Sequence, residues 1–435
     1  MEKSKLSVFW FRRDLRLHDN HGLFKALKHS EKVLAIFIFD QNILNNLLAT
    51  DRRVSLIYDQ LTRLNDQLEK YGTKIHILYG DPNNVFENLF KKCNIDAVFV
   101  NNDYEPYAVD RDLSIENLCN EKRANFYSLK DQVIFEKDEI LSGSGKPYNV
   151  YTPYMKKWLL NFRISLTIPY HSENLLDKLI LNEDIEQISS LQEIGFEHQN
   201  VVLPVPKLDH MFVRNYEKSR DFLNTEGTCN ISIHLRFGLM SVRELAKIAY
   251  QYSESLLKEL IWRSFFCQIL WHNPQVVNHS FKKKYDSLTW NDDIQSFLKW
   301  KHGQTGFPLV DAGMRELFDT GLMKNRVRML TASFLVKNLG IDWRLGEAYF
   351  ASKLLDYDLA SNNGNWQWVA GTGSDAAPYF RVFNPITQQK KFDPDFVYCK
   401  KWLPEMDELG NYNVSKIVDL KHSRLKAIER YKVIG

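Results

Sequence analysis

Acidic, basic and aromatic residues recur at helical spacing in the stretch ELIWRSFF. Glu259, Trp262, Arg263 and Phe266 fall at positions i, i+3, i+4 and i+7, which places them on one face of a predicted helix. A face that packs into a core rarely carries both a carboxylate and a guanidinium unless these groups are paired or bind something. A ligand-binding face is therefore one interpretation of the pattern. An exposed salt bridge beside two core aromatics is the alternative interpretation.

A second predicted helical face carries Asn325, Arg328 and Met329, and Arg326 projects beside it. A buried guanidinium needs a carboxylate partner, and a two-pronged fit is favourable, so we predict that Arg328 pairs with Asp356. Polar side chains on this face would contact a ligand. The alternative role of Met329 is plain core packing.

Two carboxylates and an amide lie close together in the segment LLDYDLASNNGN, namely Asp356, Asp358 and Asn362. Such groups can accept a hydrogen bond from a ring N–H and donate one to a ring nitrogen. Helix capping is their other common role. Upstream, Thr228 and Ser232 offer hydroxyl groups and nearby backbone N–H groups to an anion, although ordinary helix caps have the same composition.

The elements that must hold these residues change in kind along the chain. Over residues 1–131, short β-branched and aromatic runs alternate with helical stretches, which predicts a doubly wound parallel sheet, a Rossmann-like α/β domain. The clearest helix follows Asp51. Residues 132–205 mix Gly, Pro, Ser and acidic residues and are expected to link two domains. Over residues 206–435 helical periodicity predicts an all-α domain.

Composition excludes several classes of protein. The 435 residues, 44% hydrophobic and 26% charged, are ordinary for a soluble globular protein, and no apolar run has the length of a membrane span. The N-terminus lacks a signal-peptide pattern, so we expect a cytoplasmic location. A net charge of +3 means that any contact with nucleic acid must come from a local basic patch. The five cysteines show no CxxC and no zinc-ligand spacing with His, so neither disulfides nor a metal site is expected.

Five motifs in a fixed order resemble the photolyase/cryptochrome family, and in particular its class I members that act on cyclobutane pyrimidine dimers. The motifs are WFRRDLRLHDN near the N-terminus, RDFLNTEGTCNISIHLRFG from Arg220, ELIWRSFF from Glu259, KNRVRMLTASFLVKNLGIDW from Lys324, and LLDYDLASNNGNWQWVAGTGSDAAPYFRVFNP from Leu354. The resemblance spans nearly the whole chain. It implies an FAD-binding helical domain and a carbon–carbon lyase that splits these dimers in damaged DNA with a light-driven electron from reduced, anionic FAD.

The resemblance also implies site residues. Those assigned to FAD are Tyr216, Thr228, Ile231, Ser232, Glu259, Arg263, Phe266, Asn325, Arg328, Asp356, Asp358 and Asn362. Those assigned to the lesion and its DNA are Arg220, Glu259, Trp262, Lys324, Asn325, Arg326, Met329 and Trp368, with Lys156, Lys157 and the run Lys282–Lys284 as further candidates for phosphate contacts. Cys229 and Asn230 stand where relatives more often have Ser and Arg.

Five residues are expected to carry the chemistry. Glu259, kept protonated by apolar surroundings, would hydrogen-bond the pyrimidine edge, and Asn362 would face flavin N5. Trp290, Trp343 and Trp366 match the family's electron relay from the surface to the flavin. A neutral amide at position 362 favours repair over signalling, because plant cryptochromes typically have Asp there and insect cryptochromes have Cys.

Two further points stay open at this level. The alternative function is a cryptochrome-type flavoprotein photoreceptor for blue light without repair activity. A second, light-harvesting chromophore is uncertain, because Glu105 resembles a folate contact whereas Val276 and Val277 replace the Cys and Lys common in folate-binding relatives. We expect the protein to act as a monomer.

Overall fold

The computed structural model describes residues 4–407, 409–432 and 434. It divides the chain into two compact units that are interleaved in sequence. The first contains residues up to Glu136, Phe162–Val205 and Ile231–Ile248, and the second contains Lys137–Asn161, Pro206–Asn230 and the chain from Ala249 onward. The predicted linker 132–205 thus contributes to both units. Its assignment as a connection between domains, with boundaries at 131 and 205, stays a prediction.

The first unit is built on a parallel sheet, as predicted. Its strands are β1 (Ser4–Phe11), β2 (Ser30–Asp40), β3 (His76–Gly80), β4 (Ala97–Asn101), β5 (Asn125–Leu129) and β6 (Leu179–Ile180). Five of them lie in the order β3-β2-β1-β4-β5, and β6 pairs with β2. All pairings are parallel. The chain adds strands first on one side of β1 and then on the other, which is the topology of a doubly wound α/β domain.

Helices make up most of the remaining regular structure in the described residues. They are α1 (His21–His29), α2 (Gln41–Leu44), α3 (Arg52–Leu68), α4 (Pro82–Lys92), α5 (Pro106–Glu121), α6 (Tyr151–Asn161), α7 (His210–Ser219), α8 (Ser232–Arg236), α9 (Val242–Tyr252), α10 (Glu254–His272), α11 (Ile294–Lys301), α12 (Pro308–Thr320), α13 (Asn325–Ser333), α14 (Trp343–Lys353), α15 (Leu359–Ala370), α16 (Pro385–Phe392), α17 (Val397–Trp402) and α18 (Leu420–Lys432). In the described residues, no helix combines the length and the apolar character needed to cross a membrane.

Sequence signals account for the helix that follows Asp51. The Asp51 side chain caps α3 by accepting a hydrogen bond from the backbone of Arg53. Leu61, Leu64 and Leu68, which recur at helical spacing, are all buried. The predicted amphipathic helix is confirmed, and its apolar face packs into the first unit.

The second unit has a core formed by helices that also carry most of the predicted site residues. Its buried side chains include Trp300, Trp343 and Trp366, with Trp290 packed at the edge of the cluster. A π-helical segment, Phe334–Leu339, continues α13 and ends at Gly340, whose φ of +69° suits glycine. α13, α14 and α15 therefore form a rigid framework of the kind a bound cofactor requires.

Candidate functional site

A pocket of about 570 Å³ opens among α13, α14 and α15 in the second unit. Seven predicted site residues line it. They are Asn325, Arg328, Met329, Asp356, Asp358, Asn362 and Trp366. The structure thus brings together residues from two motifs that lie well apart in sequence.

Arg328 and Asp356 form the charged wall of the pocket. One terminal nitrogen of Arg328 donates to both oxygens of Asp356, at 3.0 and 2.8 Å. Its Nε donates to the carbonyl of Met323 at 2.7 Å. The Asp356 side chain is 4% exposed, so the guanidinium neutralises a buried carboxylate. The predicted pairing is confirmed, and it fixes a donor and an acceptor at the pocket wall.

Asn362 lies one turn into α15, which Asp358 caps by accepting a hydrogen bond from the backbone N–H of Ser361 at 2.9 Å. The Asn362 amide donates to Oε1 of Glu347 at 2.8 Å and to its carbonyl at 3.2 Å. Burial raises the pKa of Glu347 above its usual value, although this hydrogen bond acts in the opposite direction. Sequence reasoning missed Glu347, because nothing in GEAYF signals that its partner lies on the next helix.

The helices around the pocket approach closely at two glycines. A Cβ on Gly346 of α14 would lie 2.3 Å from the Trp366 ring, and a Cβ on Gly364 of α15 would lie 2.1 Å from the Phe266 ring. α15 is therefore held between α14 and α10. This packing sets the positions of Asn362 and Trp366 in the pocket.

The three tryptophans predicted to relay electrons differ in exposure. Trp366 and Trp343 are buried, and Trp290 is half-buried with its ring 6.4 Å from that of Tyr431. A fourth indole, Trp300, was not singled out from the sequence. Its ring is 6.3 Å from that of Trp366, and its Nε1 donates to the carbonyl of Thr331 at 3.0 Å. The relay itself stays a prediction.

Glu259 on α10 forms an ion pair with Arg220, which follows α7. Burial lowers the pKa of Arg220, but the charge and hydrogen bond of Glu259 outweigh this effect and the pKa is raised overall. One face of Trp262 stacks on the ring of Tyr151 at 3.5 Å. The helical face predicted from ELIWRSFF therefore exists, with Arg263 half-buried and Phe266 buried on it.

Two further cations assigned to DNA are also engaged within the second unit. Arg326 donates to Asp221 at 2.7 Å, and the Nζ of Lys324 donates to the carbonyls of Leu223 and Thr225 at 3.1 and 2.5 Å. Burial lowers the pKa of Lys324. Together with Arg220, these side chains hold the segment that follows α7. Their contacts with DNA stay predictions.

The other predicted side chains around the pocket rim vary in exposure. Asn325 is exposed and its amide lies 3.8 Å from the sulfur of Met329. Trp368 is half-buried, with the guanidinium of Arg381 5.8 Å from its ring centroid. The remaining candidates for phosphate contacts are mostly exposed. Lys157 is half-buried, whereas Lys156 and Lys282–Lys284 are exposed.

The predicted anion-binding segment falls in two parts. In the second unit, Thr228 donates to the side chain of Asn230 at 3.0 Å, and a Cβ on Gly227 would lie 2.3 Å from the carbonyl oxygen of Ser219. Gly227 is thus required for close approach to the end of α7. Burial raises the pKa of Tyr216 on α7. Ile231 and Ser232, which stand at the start of α8, belong to the first unit.

The residues weighed for a second chromophore have local partners. Arg13 donates to Glu105 at 2.7 Å in the first unit. In the second unit, the carbonyl of Val276 accepts from Asn363 at 2.9 Å and from Gln367 at 3.0 Å, while Val277 is half-buried. Val276 thus anchors its segment to α15.

Comparison with known proteins decides the family. Residues 7–172 match the family model described as DNA photolyase, and residues 256–433 match the FAD binding domain of DNA photolyase. A deoxyribodipyrimidine photo-lyase from Synechococcus is 34% identical over 92% of this chain and 88% of its own length. The chain belongs to the DNA photolyase family. The family resemblance inferred from the five motifs is confirmed.

Solved structures of this family share the fold of the chain. An archaeal photolyase from Sulfolobus tokodaii, described with two FAD molecules, has a TM-score of 0.86 and 33% identity, covering 98% of this chain and 100% of its own. A cryptochrome from Synechocystis has a TM-score of 0.84 and 25% identity, covering 99% and 100%. The prediction of an α/β domain followed by a helical FAD-binding domain is confirmed.

FAD is the cofactor of the helical domain, and the pocket residues fit it. Arg328, Asp356 and Asn362 supply donors and acceptors for the edge of a flavin ring, while Met329 and Trp366 supply apolar surface. The Arg328 guanidinium on α13 and the Asn362 amide on α15 can together orient one planar ring between them. The pocket therefore suits a flat, polar-edged heterocycle.

Proposed function

We propose that this photolyase-family protein repairs cyclobutane pyrimidine dimers in DNA by light-driven electron transfer, as a deoxyribodipyrimidine photo-lyase. One observation carries the proposal above the others. Arg328, Asp356 and Asn362 line the same pocket, and the Asn362 amide donates to Glu347 on α14. This arrangement supplies an ion pair and a neutral amide at the pocket wall, and burial raises the pKa of the carboxyl group that holds the amide. Reduced FAD, when bound, supplies the light-driven electron that splits the dimer.

Within the pocket, the protein's own groups set the electrostatics. Asn362 contributes a neutral amide, and Glu347 behind it holds that amide in place. A neutral group beside a ring with extra negative charge avoids the repulsion that a carboxylate would cause. Arg328 is paired with Asp356, so this ion pair adds little net charge to the pocket wall. The neutral amide is thus the feature that favours a reduced, anionic ring.

The face of α10 that carries Trp262 would hold the lesion. Tyr151 covers one face of Trp262, so the flipped dimer would pack on the remaining indole surface, with Trp368 and Met329 as further apolar contacts. Glu259 accepts from Arg220 in the structure. To make the predicted hydrogen bond to the pyrimidine edge, Glu259 must therefore release Arg220 and bind the dimer instead. Arg220, once released, is free to bind a flanking phosphate.

Recognition of the lesion follows from its poor stacking. A dimer pairs and stacks badly, so turning it out of the duplex costs less than for a normal base, and flanking phosphates add affinity. Lys324 and Arg326 lie near Arg220 and are the leading candidates for those phosphates. We accordingly expect affinity for the lesion to fall steeply with salt.

Repair of a defined substrate tests this proposal. An oligonucleotide with one cyclobutane thymine dimer is incubated with the full chain carrying reduced FAD, under blue light and in the dark. We expect loss of the dimer in the light only, and no reaction of a matched oligonucleotide with a six-four photoproduct. An intact dimer after illumination, with FAD shown to be bound and reduced, would contradict the proposal.

A cryptochrome-type photoreceptor for blue light is the second candidate. The similarity to the Synechocystis cryptochrome over almost the whole chain favours keeping it. The neutral amide at position 362 and the Arg220–Glu259–Trp262 face favour repair instead. The same assay separates the two, because a photoreceptor would change its flavin spectrum in blue light and leave the dimer unchanged. The sequence leaves the presence of a second chromophore open, and cytoplasmic location and monomeric state stay predictions.

A further inference from the structure

A cluster of imidazole and carboxylate groups lies in the first unit and contains no residue assigned to FAD or DNA. His18 belongs to the loop after β1, His171 and Glu173 stand at the start of a 3-10 turn, Ser172–Lys178, and Glu244 lies in the first turn of α9. One potential ligand atom from each of His18, His171 and Glu173 lies within 4.8 Å of the other two. Three separate segments of the chain thus meet at one point.

The distances in this cluster match those between ligands of one metal ion. Nδ1 of His18 is 3.0 Å from Oε2 of Glu173, and Nδ1 of His171 is 2.9 Å from Oε1 of Glu173. Tetrahedral zinc with bonds of about 2.0–2.1 Å places its ligand atoms about 3.3 Å apart. The two distances end on different oxygens of Glu173, so a small movement of these side chains would bring the three donors to that spacing around one ion.

The hydrogen bonding of His18 gives a second, independent reason. Its Nε2 lies 2.7 Å from Oε1 of Glu244 and donates its proton there. In the neutral imidazole, Nδ1 then carries a lone pair and faces Oε2 of Glu173. That oxygen is buried, and among the described residues it accepts a hydrogen bond from His18 only if Nδ1 carries a proton. Two lone pairs at 3.0 Å repel each other unless a cation lies between them, either a proton or a metal ion.

Glu244 lies where the carboxylate that supports a metal-binding histidine is usually found. A histidine that binds a metal usually donates its other ring N–H to a carboxylate, which fixes the tautomer and orients the ring. Glu244 bears that relation to His18. The cluster therefore contains both the inner ligands and the supporting carboxylate of a histidine–zinc site.

We propose that His18 Nδ1, His171 Nδ1 and one carboxylate oxygen of Glu173 bind one zinc ion, with water as the fourth ligand. Imidazole nitrogens select a borderline transition metal such as zinc over magnesium or calcium, which prefer oxygen ligands. The ion would tie the loop after β1 to the segment that begins at His171. Its role would be to stabilise the first unit, and it takes no part in the proposed repair reaction.

The test is direct zinc binding to the full chain with FAD. Protein treated with a chelator is equilibrated with zinc chloride, and bound zinc is measured by elemental analysis after dialysis. We expect one saturable site and a higher unfolding temperature with zinc. His171→Ala and Glu173→Gln should abolish this site and the thermal shift. Glu244→Gln should weaken binding by about 10- to 100-fold, as loss of a supporting carboxylate does.

Two variants control for other zinc ligands. His198 is exposed to a similar degree and forms an ion pair with Asp59, so His198→Ala should leave binding unchanged. Cys93 is the least buried of the five cysteines, and Cys93→Ala should also have no effect. His171 is exposed, and circular dichroism would confirm that its variant folds. Absence of saturable binding in the parent protein, or unchanged binding in folded Glu173→Gln, would overturn the proposal and assign the cluster to a protonated His18.

Discussion

At the scale of single residues, the hydrogen bond from Asn362 to Glu347 holds a neutral amide at the pocket wall. Asn362→Asp would remove the amide donor and place a carboxylate 2.8 Å or so from Oε1 of Glu347. Losing this bond and adding a negative charge at the pocket wall should cost about 1–3 kcal/mol of FAD binding, which is about a 5- to 160-fold loss of affinity. Equilibrium dialysis of FAD and the dimer-repair assay measure the effect.

A matched variant on the same helix tests whether position 362 is special. Asn365 also lines the pocket, but it is exposed and its amide donates to the carbonyl of Ser361. Asn365→Asp should therefore leave FAD retention and repair near those of the parent protein. Equal losses in the two variants would show that any added charge on α15 is harmful and would refute the specific role of Asn362.

A second residue-scale prediction concerns a buried lysine. Burial, with a smaller effect from Arg430, lowers the pKa of Lys337 from 10.5 to about 7. Its Nζ donates to the carbonyl of Ala370 at 2.7 Å and lies 3.7 Å from the ring centroid of Tyr431. Between pH 7 and 10.5 the unfolded chain binds more protons at this lysine than the folded one. Its contribution to the free energy of unfolding therefore rises with pH across that window.

Lys337→Met removes that contribution. When the pH is raised from about 7.5 to about 9.0, the free energy of unfolding of the parent protein should increase by about 2 kcal/mol relative to that of Lys337→Met. This corresponds to about 1.4 kcal/mol per pH unit. Titration of cysteines and tyrosines affects both proteins and cancels in this difference. Urea unfolding at the two pH values measures it, with Lys421→Met on the exposed side of α18 as control. A constant difference between parent and Lys337→Met would disprove the lowered pKa.

At the scale of elements, the close contact of α14 with α15 leaves no room for a side chain at Gly346. Alanine is the better helix former by about 0.5–1 kcal/mol, but its Cβ would lie 2.3 Å from the buried Trp366 ring. Overpacking of this kind costs about 1–3 kcal/mol, so Gly346→Ala should lower the free energy of unfolding. Denaturant unfolding measures it. Gly143→Ala, where a Cβ meets nothing within 4 Å, should cause no such loss, and equal stability of the two variants would contradict the packing argument.

The sequence predicted elements better than the contacts between them. Helical spacing placed Asn325, Arg328 and Met329 on α13, and the need of a buried guanidinium for a carboxylate predicted the pair with Asp356. Both signals are local or follow from charge. The contact of Glu347 with Asn362 depends on how α14 packs on α15, which no single segment encodes.

The same reason explains two other omissions. The ring of Tyr151 on Trp262 and the zinc ligands proposed at His18 and His171 each join residues far apart in the chain. The expectation of no metal site came from the spacing of Cys and His along the sequence. Spacing can detect ligands in one loop or helix, but only the folded chain brings distant ligands together.

At the scale of the whole molecule, the predicted tryptophan relay lies within the second unit. Trp366 lines the pocket, Trp343 is buried, and Trp290 is half-buried at the edge of the same core. We expect Trp343→Phe to abolish reduction of FAD by blue light in the presence of a thiol. Repair by protein whose FAD was reduced chemically should be unchanged, because the relay supplies electrons and does not touch the dimer.

Trp300 is the alternative carrier of electrons to Trp366, and its Phe variant is the control for Trp343→Phe. Its ring lies 6.3 Å from Trp366, but it is fully buried and donates to the carbonyl of Thr331, so it cannot exchange electrons with solvent directly. Trp300→Phe should therefore retain light-driven reduction if it folds, as judged by FAD content. Loss of that reduction in Trp300→Phe with retention in Trp343→Phe would move the route to Trp300. The half-buried Trp290 would then lose its assigned role, since a path through Trp300 needs a different exit to the surface.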